Sequence, residues 1–127
     1  MATMAGKRPK HLNLLKIKLP LPAVVSILHR VSGALLFAVI PLFLGVFQLT
    51  LASTESYETV RQCLASPLAK LALIGLAWGF LHHFFAGLRY LVMDIGYGLD
   101  LDKTRRSSKW VMVFSLGSTL LLGVWLW

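Results

Sequence analysis

The sequence predicts an all-α integral membrane protein with three transmembrane helices, and two observations support this fold class. Apolar residues make up 57% of the 127 residues and charged residues only 14%, whereas a soluble domain carries about 25% charged residues. The apolar residues are also concentrated in three long segments, which is typical of membrane proteins rather than soluble ones.

The three segments differ in length. A helix needs roughly 20 apolar residues to cross ~30 Å of hydrocarbon. The first segment, residues 21–51, and the second, residues 67–93, are longer than this, so we expect tilt or projection beyond the bilayer. The third, residues 110–127, is barely long enough. The sequence therefore predicts an N-terminal segment over residues 1–20 and a three-helix transmembrane domain over residues 21–127.

The distribution of charge predicts the orientation in the membrane. Basic residues precede the first span and lie between the second and third: Lys7, Arg8, Lys10, Lys16, Lys18, Lys103, Arg105, Arg106 and Lys109. The loop between the first and second spans holds Glu55, Glu58 and Arg61, with Lys70 at its edge. Because loops rich in Lys and Arg stay cytoplasmic, we expect the N-terminus and the second loop to be cytoplasmic.

The net charge of +8 is explained by this positive-inside bias. It is also compatible with a basic face that docks a peripheral partner on the cytoplasmic side. No nucleic-acid partner is predicted, because charges split between two ends of an apolar chain do not form a surface that reads a groove. Cys63 is the one cysteine, so no intrachain disulfide is expected.

Polar groups inside the spans are the functional candidates, because an ionisable side chain in a membrane helix is costly and marks a function or a buried pair. The first two spans carry seven of interest: Ser26, His29, Arg30, His82, His83, Arg89 and Asp94. The third span carries only hydroxyl groups, on Ser115, Ser118 and Thr119. We expect these hydroxyls to bond back to the helix backbone, so the chemistry is assigned to the first two spans.

One face of the second span surrounds His83 with small residues. At steps of three or four, this stripe comprises Gly75, Gly79, His83, Gly87, Tyr90 and Asp94. Because glycine has no side chain, a porphyrin ligated by His83 could approach the backbone here. The alternative is a close helix–helix crossing with His83 hydrogen-bonded across it. His82 points to a more crowded face, beside Trp78 and Ala86, and we predict that it is a packed histidine.

A second stripe lies on the first span, where Ser26, Arg30 and Gly33 share a face and His29 is adjacent. A hydroxyl and a guanidinium one turn apart can both donate to a carbonyl oxygen. Arg30 stays charged inside a protein and needs an anion or strong acceptors. The alternative is that Arg30 pairs with Asp94 and snorkels to the membrane surface.

The two axial ligands of a haem iron are not easily both supplied by this chain. At 1.5 Å per residue, His83 lies ~16 Å from the inner end of its helix and His29 only ~10 Å from the inner end of its own. A second axial ligand opposite His83 is therefore expected from a partner chain. The sequence has no CxxCH motif, so any haem is predicted to be of the non-covalent b type.

Two stretches resemble the transmembrane signatures of the succinate dehydrogenase cytochrome b subunit, the larger of the two small membrane anchors of the bacterial succinate:quinone oxidoreductase. The first is KLPLPAVVSILHRVSGALLF. The second is HHFFAGLRYLVMDIGYGLD, which is similar to the family pattern H-x-x-x-G-[IL]-R-H-x-x-x-D-x-G. The leading RPKHLNL resembles a shortened form of the family's N-terminal motif.

The resemblance implies a role in electron transfer. It implies a haem b-binding anchor of succinate dehydrogenase (respiratory complex II) that contributes to ubiquinone reduction in the tricarboxylic acid cycle and is not catalytic alone. The implied partners are the second small membrane anchor, the iron–sulfur subunit and the flavoprotein subunit. The implied location is the inner membrane of a bacterial cell, with lipid around the spans.

The resemblance also implies roles for individual residues. His83 matches the axial ligand of the haem iron, with the other ligand on the second anchor. Ser26 and Arg30 match residues that line the quinone site, and His29 and Arg30 lie where the haem propionates are approached. This chain departs from the pattern at Tyr90, where the family usually has a histidine, so the roles of that histidine are not carried over.

Three other functions are compatible with parts of the pattern. A fumarate reductase anchor is the nearest, since it runs the same chemistry in reverse. A small transporter or channel component needs a polar stripe through the outer half of the spans, and residues 33–51 lack one. The third is a structural membrane anchor without haem.

Overall fold

The computed structural model describes residues 17–127, which form four α-helices. They are α1 (Leu21–Ala52), α2 (Thr54–Ala65), α3 (Pro67–Asp94) and α4 (Leu101–Leu126). Residues 17–127 contain no strand. Because α1, α3 and α4 are long and apolar enough to cross a membrane, the predicted all-α fold with three spans is confirmed.

Most of the predicted N-terminal segment lies outside the described residues. This applies to the RPKHLNL motif and to four of the basic residues used to predict orientation: Lys7, Arg8, Lys10 and Lys16.

The first two spans agree with the prediction to within one residue at each end. Each helix has a proline in its first turn, where the backbone N–H has no helical partner and its loss therefore costs little. The Ser66 hydroxyl caps α3 by accepting the N–H of Ala69 at 3.3 Å. These local signals begin both helices at the edges of their apolar segments.

The helix α4 begins before the apolar segment predicted as the third span, at Leu101 rather than near residue 110. The basic stretch that we assigned to a loop forms the first turns of α4. Lys and Arg are good helix formers, and no glycine or proline interrupts residues 101–116. Hydropathy therefore predicted the apolar part of α4 but did not predict the basic turns that precede it.

The helix α2 was not predicted, because it is polar and lies in the loop between the first two spans. The Ser53 hydroxyl caps it by accepting a backbone N–H at 3.1 Å, and Glu55 lies in its first turn. Arg61 pairs with Glu58 at 3.3 Å. None of its residues is buried, and Cys63 is exposed on it with a free thiol.

The helix α3 packs between α1 and α4 and contacts both. The buried apolar core is small and takes one residue from each span: Val25, Ala86 and Val111. Most of the large apolar side chains are exposed on the outside of the bundle. The three helices therefore hold together through a narrow contact and present wide apolar faces to lipid or to neighbouring subunits.

A tight turn joins α3 to α4. The N–H of Tyr97 donates to the Val92 carbonyl at 3.2 Å, and that of Gly96 donates to the Met93 carbonyl at 2.9 Å. This is the Schellman arrangement, which needs a left-handed residue that glycine supplies, and Gly96 has φ of 86°. The turn brings the start of α4 beside the end of α3. We call this end of the bundle, where α1 also begins, the basic end.

Candidate functional site

Two adjacent histidines of α3 hold α1 at two backbone carbonyls. His83 Nδ1 lies 3.0 Å from the His29 carbonyl oxygen, and His82 Nε2 lies 3.5 Å from that of Val25. A carbonyl oxygen can only accept, so each of these ring nitrogens donates a proton. The two carbonyls are one helical turn apart, and the histidine pair therefore fixes α1 along α3.

The Ser32 hydroxyl completes the hydrogen bonds around His83. It donates to the His29 carbonyl at 3.0 Å and lies 3.3 Å from His83 Nδ1. A neutral imidazole carries one ring proton, so a proton on Nδ1 leaves a lone pair on Nε2. An imidazole held through one nitrogen and free at the other is the form that ligates metals.

Gly33 on α1 lets the His83 ring approach the helix. A Cβ atom at this position would lie 2.8 Å from His83 Cε1 and 3.2 Å from Nδ1. The first distance is shorter than side chains tolerate, so an alanine here would push the ring away. The orientation of His83 therefore depends on a glycine of the neighbouring helix.

The His29 ring covers one face of the His83 ring. The two are stacked, with centroids 4.2 Å apart and planes 8° from parallel. On its other side, the His29 ring is tilted against Tyr90 at 5.2 Å. A Cβ on Gly87 would lie 3.7 Å from His29 Nε2, which is ordinary van der Waals contact. Gly87 therefore lies beside His29 without being required by it.

One part of the crossing interpretation of the α3 stripe is thus confirmed, namely that His83 bonds across to α1. It does not account for the whole stripe. Cβ atoms on Gly75 and Gly79 would meet no atom of the described residues within 4 Å. The exposed backbone at Gly75, two turns from His83, is compatible with a flat ligand near this histidine, whereas Gly79 is itself buried.

His82 is a packed histidine, as the sequence predicted. It is fully buried, and its ring is tilted against that of Trp78 at 5.7 Å. Its Nδ1 and the Trp78 Nε1 have no hydrogen-bond partner within residues 17–127. An imidazole enclosed in this way by its own chain leaves no room for a macrocycle.

The predicted quinone residues lie directly after the two carbonyls that the histidines hold. Ser26 follows Val25 and is half-buried, whereas Arg30 follows His29 and is exposed. Any shift of α1 along α3 would therefore move both side chains.

The alternative in which Arg30 pairs with Asp94 is wrong. Two ion pairs occur within residues 17–127, Arg61 with Glu58 and Lys103 with Asp100. The guanidinium of Arg30 therefore has no carboxylate partner in the described chain, and its donors are free for an acceptor outside it.

Two of the three α4 hydroxyls considered behave as predicted, and no such bond is formed by Ser118 in the described chain. Ser115 Oγ donates to the Met112 carbonyl at 3.1 Å, and Thr119 Oγ1 donates to the Ser115 carbonyl at 2.6 Å. Each bond lies within the helix, so these side chains pack without offering a site.

Sequence reasoning missed the contribution of Ser32 and the reason for Gly33. Spacing along α3 identifies the neighbours of His83 on its own helix, but the groups that position its ring belong to α1. The available signal was on α1, where Ser32 and Gly33 follow His29 by about one turn.

Comparison with known proteins identifies the family. Residues 4–122 match the family model described as succinate dehydrogenase/fumarate reductase transmembrane subunit. The chain belongs to this family. The match includes the helices that carry His29 and His83, so the resemblance predicted from the two signatures is confirmed.

Three relatives illustrate the similarity. The succinate dehydrogenase cytochrome b556 subunit of Coxiella burnetii is 38% identical over 125 residues, which cover 98% of this chain and 100% of the relative. That of Paracoccus denitrificans is 34% identical over 82% of this chain and 80% of its own length. The mitochondrial cytochrome b560 subunit of Sus scrofa is 30% identical over 92% and 70%. Together with the three spans, this makes the chain a multi-pass inner-membrane protein.

Proposed function

We propose that this chain is the haem b-binding membrane anchor of a succinate dehydrogenase and contributes to its ubiquinone-reduction site. The hydrogen bond of His83 carries the proposal. Its Nδ1 proton goes to the His29 carbonyl at 3.0 Å, which leaves the Nε2 lone pair for a metal. The relatives are named as succinate dehydrogenase cytochrome b556 subunits, which supports the same assignment.

The residues around His83 fit a haem on chemical grounds. His83 would hold the iron from one side through Nε2, and the second anchor would supply the ligand on the other side. A Cβ on the exposed Gly75 would meet no described atom within 4 Å, so this position leaves space on the same face as the ligand, and His29 and Arg30 would donate to the propionates. Haem b, when bound, would supply a one-electron carrier within the membrane.

Ser26 and Arg30 fit the recognition of a quinone. Each can donate to a carbonyl oxygen, and Arg30 also carries a fixed positive charge with no carboxylate partner in the described chain. A preorganised cation beside the quinone stabilises the negative charge that develops on the carbonyl oxygen during reduction. Arg30 would therefore favour reduction, whereas Ser26 would mainly orient the quinone.

The proposed partners are the second small anchor, the iron–sulfur subunit and the flavoprotein subunit. The most apolar stretch of α1 has no residue buried within the chain, which suits a second anchor packed against this helix. The basic end would face the cytoplasm, so Ser26 and Arg30 would lie on the side from which iron–sulfur electrons arrive.

The quinone assignment is tested in the purified complex with Arg30→Ala and Ser26→Ala. We expect Arg30→Ala to lower succinate–ubiquinone turnover by about 10²–10³ and Ser26→Ala to lower it less, because water can replace a neutral hydroxyl. Succinate oxidation by an artificial acceptor should stay nearly intact. Arg61→Ala and Ser115→Ala are matched controls, since both residues lie outside the site. An Arg30→Ala complex that is fully assembled, haem-loaded and normal in quinone turnover would show that the quinone binds elsewhere.

A further inference from the structure

Arg89 is a buried cation that the haem and quinone proposal does not use. It lies on α3, ~7.5 Å from Asp94 at the basic end at 1.5 Å per residue, and is only 8% exposed. Its Nε donates to Ser107 Oγ at 2.9 Å, and its guanidinium carbon lies 5.2 Å from the centre of the Tyr90 ring. Arg89 therefore faces α4 through Ser107, whereas the histidine pair of α3 contacts α1.

The chain itself supplies no counter-ion for this guanidinium. Its five acidic residues all lie within the described range: Glu55, Glu58, Asp94, Asp100 and Asp102. Among them, Glu58 pairs with Arg61 and Asp100 with Lys103, and none forms an ion pair with Arg89. A guanidinium is always charged, and one that is only 8% exposed needs an anion or strong acceptors. The described residues supply the Ser107 hydroxyl but no carboxylate, so an anionic partner would come from outside the chain.

Two grooves meet at Arg89 and Ser107, and both have apolar walls. One groove, of about 430 Å³, continues between α3 and α4 along Phe85, Trp110, Val111 and Phe114. The other, of about 250 Å³, runs towards the α3–α4 turn along Leu88, Val92, Met93 and Tyr97. The arrangement is a single cation at the junction of two apolar channels. A ligand that fits it carries both a negative charge and a long apolar chain.

The neighbouring surface of α4 has the character of a headgroup contact. Arg106, Lys109 and Trp110 line a third groove that adjoins the first at Trp110. Basic residues and tryptophan mark the level of the lipid headgroups. The cation of Arg89 therefore lies at the level where lipid phosphates occur.

We propose that the groove between α3 and α4 binds an anionic phospholipid. The phosphate accepts hydrogen bonds from the terminal nitrogens of Arg89, while Ser107 holds the guanidinium in place. One acyl chain lies along Phe85, Val111 and Phe114. A neutral quinone would leave the charge of Arg89 uncompensated, whereas an anionic phospholipid supplies both an anion for Arg89 and an apolar chain for the grooves.

The test uses the purified complex with Arg89→Gln, and with Arg105→Gln as the matched control, because Arg105 is an exposed cation of α4 that lines none of these grooves. After detergent delipidation, mass spectrometry of extracted lipid should find anionic phospholipid retained by the wild type and by Arg105→Gln. Adding back phosphatidylglycerol should raise the Tm of both. Arg89→Gln should lose the retained lipid and bind phosphatidylglycerol at least about tenfold more weakly. Phosphatidylcholine and inorganic phosphate should give no comparable shift in any variant.

Several results would overturn the proposal. They are equal lipid retention by Arg89→Gln, no retention by the wild type, an equal Tm shift from inorganic phosphate, or a loss of bound quinone rather than lipid in Arg89→Gln. If Arg89→Gln does not assemble, Ser107→Ala serves instead. It keeps the charge and removes the hydrogen bond that positions it, so phosphatidylglycerol binding should weaken without disappearing. Unchanged binding in Ser107→Ala would contradict the site.

Discussion

The interface between α1 and α3 and that between α3 and α4 use polar side chains in opposite ways. Between α3 and α4, the hydroxyls of Ser115 and Thr119 bond to carbonyls of their own helix. Between α1 and α3, the imidazoles of His82 and His83 bond to carbonyls of the other helix, and each ring retains a nitrogen with no partner in the described chain. The two α4 hydroxyls are thus satisfied within their own helix, whereas His83, to which we assign a ligand, keeps a ring nitrogen open. His82 also keeps one, Nδ1, but its side chain is fully buried within the bundle.

Arg89, at the interface between α3 and α4, is likewise only partly satisfied by its own chain. It contacts α4 through Ser107, but its charge has no carboxylate partner in the chain. It is therefore the one residue of the α3–α4 interface to which we assign a ligand.

The largest effect is expected from Gly33→Ala. The added Cβ would lie 2.8 Å from His83 Cε1, and overpacking of this kind typically costs about 1–3 kcal/mol. The His83 ring would also be displaced, so the purified complex should have a lower Tm and a lower ratio of haem to protein. Gly45→Ala is the matched control, because it lies on the same helix and its Cβ would meet no described atom within 4 Å. Equal haem content and equal Tm in the two variants would show that Gly33 does not determine the position of the His83 ring.

At His82 we expect an effect on stability with a smaller effect on haem than at Gly33. His82→Ala removes a long hydrogen bond to Val25, at 3.5 Å, and opens a cavity at a fully buried site. The lost hydrogen bond should cost about 1 kcal/mol, with the cavity adding to it, so Tm should fall while the haem spectrum is kept. In His82→Gln the amide nitrogen can replace Nε2 as the donor, and this variant should recover part of the loss. If glutamine is no better than alanine, the bond to Val25 does not stabilise the bundle.

The smallest effect comes from a matched pair of serines. Ser32 and Ser115 are both buried, and each donates to the carbonyl three residues before it. They differ in that Ser32 also lies 3.3 Å from His83 Nδ1. We expect Ser115→Ala to change nothing measurable and Ser32→Ala to shift the haem midpoint potential, because groups bonded to a ligating imidazole tune the metal. Equal potentials in the two variants would show that Ser32 only packs.

Sequence predicted the parts of the fold that contact hydrocarbon. The ends of α1 and α3 were predicted because prolines and polar residues bound their apolar segments. The start of α4 and the whole of α2 were not, since a polar helix in water differs little from a polar loop in hydropathy. The capping serine Ser53 and the pair Glu58–Arg61 are the local signals that a reading based on apolar length leaves out.

At the candidate site, sequence separated His83 from His82 but gave an incomplete reason. The glycines of the α3 stripe were expected to make room around His83, whereas the glycine that its ring contacts is Gly33 on α1. Spacing along one helix defines a face of that helix but not which residues of another helix pack against it. The same limit explains why Asp94 was considered as a partner of Arg30, although the packed helices do not form this pair.

The central claim is that His83 ligates haem through Nε2 while His82 only packs. It is tested most directly by the reduced-minus-oxidised visible spectrum of the purified complex carrying His83→Ala or His82→Ala. The iron–sulfur and flavoprotein subunits are checked on a gel to establish assembly. We expect the b-haem signal to be lost or severely disturbed in the His83→Ala complex and largely kept in the His82→Ala complex. Equal loss in both variants, or loss only in His82→Ala, would contradict the assignment.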